Sequence, residues 1–146
     1  LPALFFNAGT PYKMKNYVNM ETKNISRITT AFINDKSPVM DLIHDDLVAS
    51  GVDVVFRSDN VVDGINQLSA LKSLPNICII DLDFSDKGIM KHLRELRSQY
   101  PKLKLIAHTD MDEEKIIREL AELGFSKYLL IGNDMKKAID GVVNGK

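Results

Sequence analysis

The chain has 146 residues, 45% apolar and 27% charged, a mix that fits one globular domain and excludes collagen, coiled coil and intrinsic disorder. Nineteen Lys and Arg against twenty Asp and Glu leave a formal charge of −1, so no basic excess is present to grip nucleic-acid phosphates. Its single cysteine, Cys78, excludes an internal disulfide framework and a cysteine-based zinc site.

No apolar run approaches the roughly 18 residues of a membrane span, and the expectation is a cytoplasmic protein with no membrane contact. Residues 1–24 stand apart from the rest. They carry Gly9, Pro11 and several Asn and Lys, and Leu4-Phe5-Phe6 is too short for a signal-peptide core. The expectation for 1–24 is a flexible arm or expression remnant, with docking of Phe5 and Phe6 on the domain as the rival. Residues 25–146 are expected to form the domain.

Ile28 to Ile33 is a β-branched run that reads as a first strand. Val39 to Ser50 follows as a helix with Val39, Met40, Ile43, Leu47 and Val48 on one face. Gly51 punctuates, and Val52 to Phe56 reads as strand two. Val61 to Lys72 is helical, with Ile65, Leu68 and Leu71 inward. Ile77 to Leu82 is a near-continuous apolar run of the kind found in buried parallel strands. Gly88 to Tyr100 is a helix closed by Pro101. Leu103 to Ala107 is strand four. Glu113 to Leu123 is a helix stopped by Gly124. Tyr128 to Ile131 is strand five, and Met135 to Val143 is the last helix.

Strict alternation of strand and helix, with long connections, implies parallel pairing. The fold class is therefore α/β: a doubly wound five-stranded parallel sheet with helices on both faces. Ligands of such sheets bind beyond the carboxyl ends of the strands. Asn34-Asp35-Lys36-Ser37-Pro38 follows strand one, Asp81-Leu82-Asp83 closes strand three, and His108-Thr109-Asp110 follows strand four. Acidic groups thus gather at neighbouring strand ends. Asp81 stands out, because a carboxylate closing an apolar strand needs a partner, a metal or a proton.

Asp35-x-Ser37-Pro38, then Ile79-Ile80-Asp81-Leu82-Asp83, then Thr109, then Gly124-Phe-Ser-Lys-Tyr128-Leu-Leu resembles the receiver domain of two-component response regulators. The resemblance runs from about Ile28 to Val143 and is nearest to receivers that precede a LuxR-type output domain. It implies the flavodoxin-like strand order 2-1-3-4-5. It also implies phosphorylation of Asp81 by a histidine kinase or phosphotransfer protein. Further implications are Mg²⁺ held by Asp35, Asp81 and Asp83 (the last through its backbone carbonyl), and a switch formed by Thr109 and Tyr128. Homodimerisation through the last helix and strand, and nucleic-acid contact only through an output domain absent from this sequence, follow from the same resemblance.

Two positions depart from the family pattern. Lys36 stands where a second acidic residue usually touches the metal, and Ile131 stands where a lysine usually pairs with the acceptor aspartate. Lys36 either enters the metal pocket and weakens Mg²⁺ binding or extends to solvent. The departures keep a second reading open, a pseudo-receiver working as a phosphorylation-independent interaction or ligand-sensing module. A flavodoxin-like small-ligand binder is a third reading, disfavoured by the lack of a phosphate-cradling loop. His44 and His92 read as helix-surface residues. His108 would take the switch position only after a one-residue slip, and spacing to Tyr128 favours Thr109.

Overall fold

The computed structural model describes residues 27–35, 37–82 and 87–145. The expectations for residues 1–24, Lys36 and Asp83 lie outside them. The described elements are β1 (Thr29–Ile33), α1 (Pro38–Ala49), β2 (Asp53–Arg57), α2 (Val61–Ser69) and β3 (Ile77–Asp81). They continue with α3 (Ile89–Gln99), β4 (Lys104–Thr109), α4 (Glu114–Glu122), β5 (Lys127–Leu130) and α5 (Met135–Val143).

All pairings are parallel, and the strand order is β2-β1-β3-β4-β5. The alternation and order expected from the sequence are both present. Two apolar layers cover the sheet. One joins Ala31, Ile33, Cys78, Ile80, Leu105 and Ala107 to side chains of α2, α3 and α4. The other joins Phe32, Ile77, Ile79, Ile106 and Leu129 to side chains of α1 and α5. Strand residues alternate between the layers because successive side chains point to opposite faces. This explains the unbroken apolar run of β3: both of its faces are covered. Each fully buried Ile or Leu contributes about 1.5–3 kcal/mol relative to exposure. Burial also pushes the Cys78 thiol far above its ordinary value.

Three of the helix starts at the carboxyl edge of the sheet carry side-chain caps. Ser37 accepts from the Val39 N–H ahead of Pro38, Asn60 accepts from the Asp63 N–H at 2.8 Å, and Asp134 accepts from the Lys137 N–H at 3.1 Å. Several sequence-based boundaries move. Val48 was expected inward but is 50% exposed, because the buried stripe of α1 runs through Met40 and Leu47. Helix α2 ends at Ser69, three residues before Lys72, where Ala70 N–H turns back to the Gln67 carbonyl. Strand β4 extends through His108 and Thr109, which pair with β3 and β5. Ile131 falls in the turn after β5 and is 43% exposed.

Candidate functional site at the carboxyl edge

Asn34 ends β1 in the left-handed region, φ 61°, a conformation that Asn tolerates better than most residues. Its side chain donates to the Asp81 carbonyl at 2.6 Å and so ties the end of β1 to the end of β3. The Asp35 N–H donates to the Ser58 carbonyl at 2.8 Å, which joins the same turn to the end of β2. The three strand ends form one braced rim.

Two carboxylates sit on that rim. The Asp35 side chain is only 3% exposed. Its Oδ2 accepts from Arg57 Nε, while its Oδ1 is buried with no hydrogen-bond partner among the described residues. Arg57 also donates to Asp41 Oδ1 at 2.7 Å, and the guanidinium carbon stands 5.9 Å from the Phe32 ring centroid. The bond to Asp35 is the main cause of a raised Arg57 pKa, opposed by partial burial and aided by Asp41.

Asp81 ends β3 with a side chain 13% exposed. Its Oδ1 lies 3.1 Å from His108 Nδ1, and the His108 ring is 2% exposed. The two residues are direct partners in the β3–β4 register, so their side chains leave the sheet on the same face. Thr109, one residue on, points to the opposite face. There its hydroxyl accepts from the Met111 N–H at 3.1 Å. The Tyr128 hydroxyl donates to the Met111 carbonyl. Burial raises the Tyr128 pKa, with Asp112, Glu113 and Asp110 adding in the same direction and the Thr109 hydroxyl opposing.

The structure thus brings Asp35 and Asp81 to adjacent strand ends and gathers Thr109 and Tyr128 around Met111. Asp81 is brought beside His108, and Thr109 is not. Ile131 contributes its N–H to the Thr109 carbonyl at 2.9 Å. Arg57 was missed as a site residue in the sequence, and His108 was weighed only as the switch residue after a one-residue slip. Arg57 closes an edge strand beside an acidic loop, which was the available signal. His108 needed the β3–β4 register.

The donor chemistry fits a hard divalent cation such as Mg²⁺, which takes oxygen ligands and often only one or two carboxylates. The buried Asp35 oxygen that has no partner among the described residues and the carboxylate of Asp81 on the next strand are oxygen donors of that kind. Among the described residues no group of three His, Cys, Asp or Glu stands close enough to hold a metal. Also among them, no helix is long and apolar enough to cross a membrane.

No protein-family model and no curated protein sequence matches the chain. Solved structures do. A LuxR-family two-component response regulator from Aurantimonas sp. SI85-9A1 matches with TM-score 0.70 and 18% identity, over 83% of this chain and 88% of that one. The isolated receiver domain of RcsB from Salmonella enterica serovar Typhimurium, solved with phosphomimetic BeF3⁻, matches with TM-score 0.71 and 21% identity, over 83% and 91%. RcsB from the same organism bound to promoter P1flhDC matches with TM-score 0.69 and 20% identity, over 83% of this chain and 62% of that one. The chain has the receiver fold of response regulators.

Proposed function

We propose that the chain is the receiver domain of a response regulator, accepting a phosphoryl group on Asp81 and thereby switching a surface formed by α4, β5 and α5. The observation that carries this reading is the place of Asp81. It is a carboxylate partly open to solvent at the carboxyl end of the central strand of a β2-β1-β3-β4-β5 sheet, where such folds bind ligands.

Phosphoryl transfer needs an in-line acceptor and positive charge against the phosphoryl oxygens. Asp81 supplies the acceptor. A magnesium ion held by Asp35 and Asp81, with the Asp83 carbonyl as the further ligand that the receiver resemblance implies, would supply charge. Arg57, already bonded to Asp35, weakens that binding by competing for the carboxylate, and a lysine at position 36 in place of an acidic residue removes one metal ligand. Thr109 and Tyr128 share Met111 as a hydrogen-bonding centre on the opposite face of β4, so in this reading a change at Asp81 reaches them through movement of the β4 end at His108. A charge change at one edge then biases a packed element with two arrangements.

The phosphoryl source in this reading is a histidine kinase or phosphotransfer protein in the cytoplasm. Homodimerisation is part of the reading, as is transcriptional regulation through an output domain beyond this sequence. RcsB, which shares the fold, has been solved on promoter DNA, and this chain spans 62% of it.

The test is direct. The chain is incubated with acetyl phosphate, or with BeF3⁻, plus Mg²⁺, and Asp81 is followed by intact mass and by amide NMR. An adduct absent from Asp81→Ala is expected. No adduct and no shift would overturn the phosphoacceptor reading and leave a phosphorylation-independent interaction module.

A further inference from the structure

The carboxylate of Asp81 is not symmetric. Oδ1 is engaged by His108 Nδ1, whereas Oδ2 takes no hydrogen bond from the described residues. When Asp81 is ionised its carboxylate only accepts, and Nδ1 then carries the hydrogen of this pair. The His108 ring has little freedom. Its strand is paired on one side with Asp81 and on the other with Leu129, and the imidazole is buried. Asn34 fixes the Asp81 backbone from the β1 side. The exposure that remains in the pair belongs to the aspartate.

We propose that His108 is the positioning residue of Asp81: its Nδ1–H holds Oδ1 and leaves Oδ2 as the oxygen that attacks phosphorus. This rests on the phosphoacceptor reading above. With acetyl phosphate as donor, an Oδ2 lone pair forms the new O–P bond. The bond from phosphorus to the acetyl oxygen breaks, and acetate leaves with its electron pair. Oδ1 becomes the carbonyl oxygen of the acyl phosphate and keeps its hydrogen bond from His108. A pair set by strand register holds the carboxylate plane fixed, which raises the fraction of encounters aligned for in-line attack.

Two measurements on the full chain test this. The first is ¹⁵N NMR of the imidazoles, read without any phosphoryl donor. His108 is expected in the Nδ1-protonated tautomer in the native chain and to leave it in Asp81→Ala. An Nδ1 without hydrogen in the native chain overturns the proposal. The second compares initial rates of the Asp81 adduct in His108→Asn, which keeps an N–H donor near the Nδ1 position, and His108→Leu, which has none. His108→Leu is expected to slow adduct formation roughly ten-fold, and His108→Asn to recover most of that loss. A His108→Leu chain that is folded and reacts at the native rate also overturns the proposal. A native chain that forms no adduct ends the phosphoacceptor reading instead, and the tautomer result then decides alone whether His108 holds Asp81.

Discussion

Arg57 and Asp35 share one ion pair across the β1–β2 rim, with the carboxylate buried to 3% exposure and the guanidinium reaching solvent. One Asp35 oxygen is satisfied by Arg57 and the other has no partner among the described residues. A buried carboxylate that loses a paired cation is costly. Arg57→Gln is therefore expected to lose about 1–3 kcal/mol of stability. Added Mg²⁺ should restore part of this in the variant and change the native chain less, because the variant's Asp35 has lost the guanidinium that otherwise occupies it. Urea unfolding at several Mg²⁺ concentrations checks both statements. Equal Mg²⁺ stabilisation of the two chains would show that Arg57 does not compete for the site.

At Gly64, α2 packs directly against Ile33 of β1. A Cβ there would stand 2.7 Å from both Cδ1 and Cγ1 of Ile33. Two effects oppose each other in Gly64→Ala. Helix propensity favours Ala by up to about 1 kcal/mol. The clash wins, because Ile33 is fully buried and has no space to retreat into. A net loss of about 1–3 kcal/mol is expected. Ile33→Val, which removes Cδ1, should reduce that loss, and a double-mutant cycle by urea unfolding measures the coupling.

Arg97 closes the opposite end of the domain. Its guanidinium donates to the Leu123 carbonyl at 2.7 Å, to Tyr100 at 2.9 Å, to Pro101 at 3.0 Å and to Gly124 at 3.2 Å. These carbonyls lie at and just beyond the ends of α3 and α4, where helices leave acceptors unpaired. Partial burial lowers the Arg97 pKa from its ordinary value, yet the group stays charged. Arg97→Met keeps the apolar stem and removes all four bonds, with an expected loss of about 2–4 kcal/mol. Arg97→Lys should recover less than half, since an ammonium lacks the planar fork. Thermal and chemical denaturation of the three chains provides the check.

Tyr128 carries the pH prediction. Its phenol is held above the ordinary value near 10, first by burial and then by Asp112, Glu113 and Asp110. The folded chain therefore holds this proton more tightly than the unfolded chain does. The corresponding stability is present below the unfolded value and is lost as pH rises through the folded one. Absorbance at alkaline pH should show one tyrosine titrating late in the folded chain and at the ordinary value in denaturant, with the late step missing in Tyr128→Phe. A Tyr128 that titrates at the ordinary value in the folded chain would contradict this.

Much of the fold was legible in the residues. Ile77 to Ile80 could only be a strand covered on both faces, and the helices at Val61, Ile89 and Met135 carried their apolar stripes in the sequence. Val48 misled because an apolar residue at a helix margin costs little when exposed, so its type says little about its direction. Asp35 and Asp81 were found because an acidic residue at the end of an apolar strand breaks the local pattern.

What the sequence determined by itself was the alternation of strands and helices, the parallel sheet and the edge at which the acidic groups collect. Those follow from periodicity and turn chemistry, which act within a few residues of each other. Only the tertiary structure decided which cation meets which carboxylate. Arg57 lies 22 residues from Asp35, and His108 lies 27 from Asp81. Such pairs are set by strand order and register, and a shift of one residue in β4 would exchange His108 for Thr109 beside Asp81.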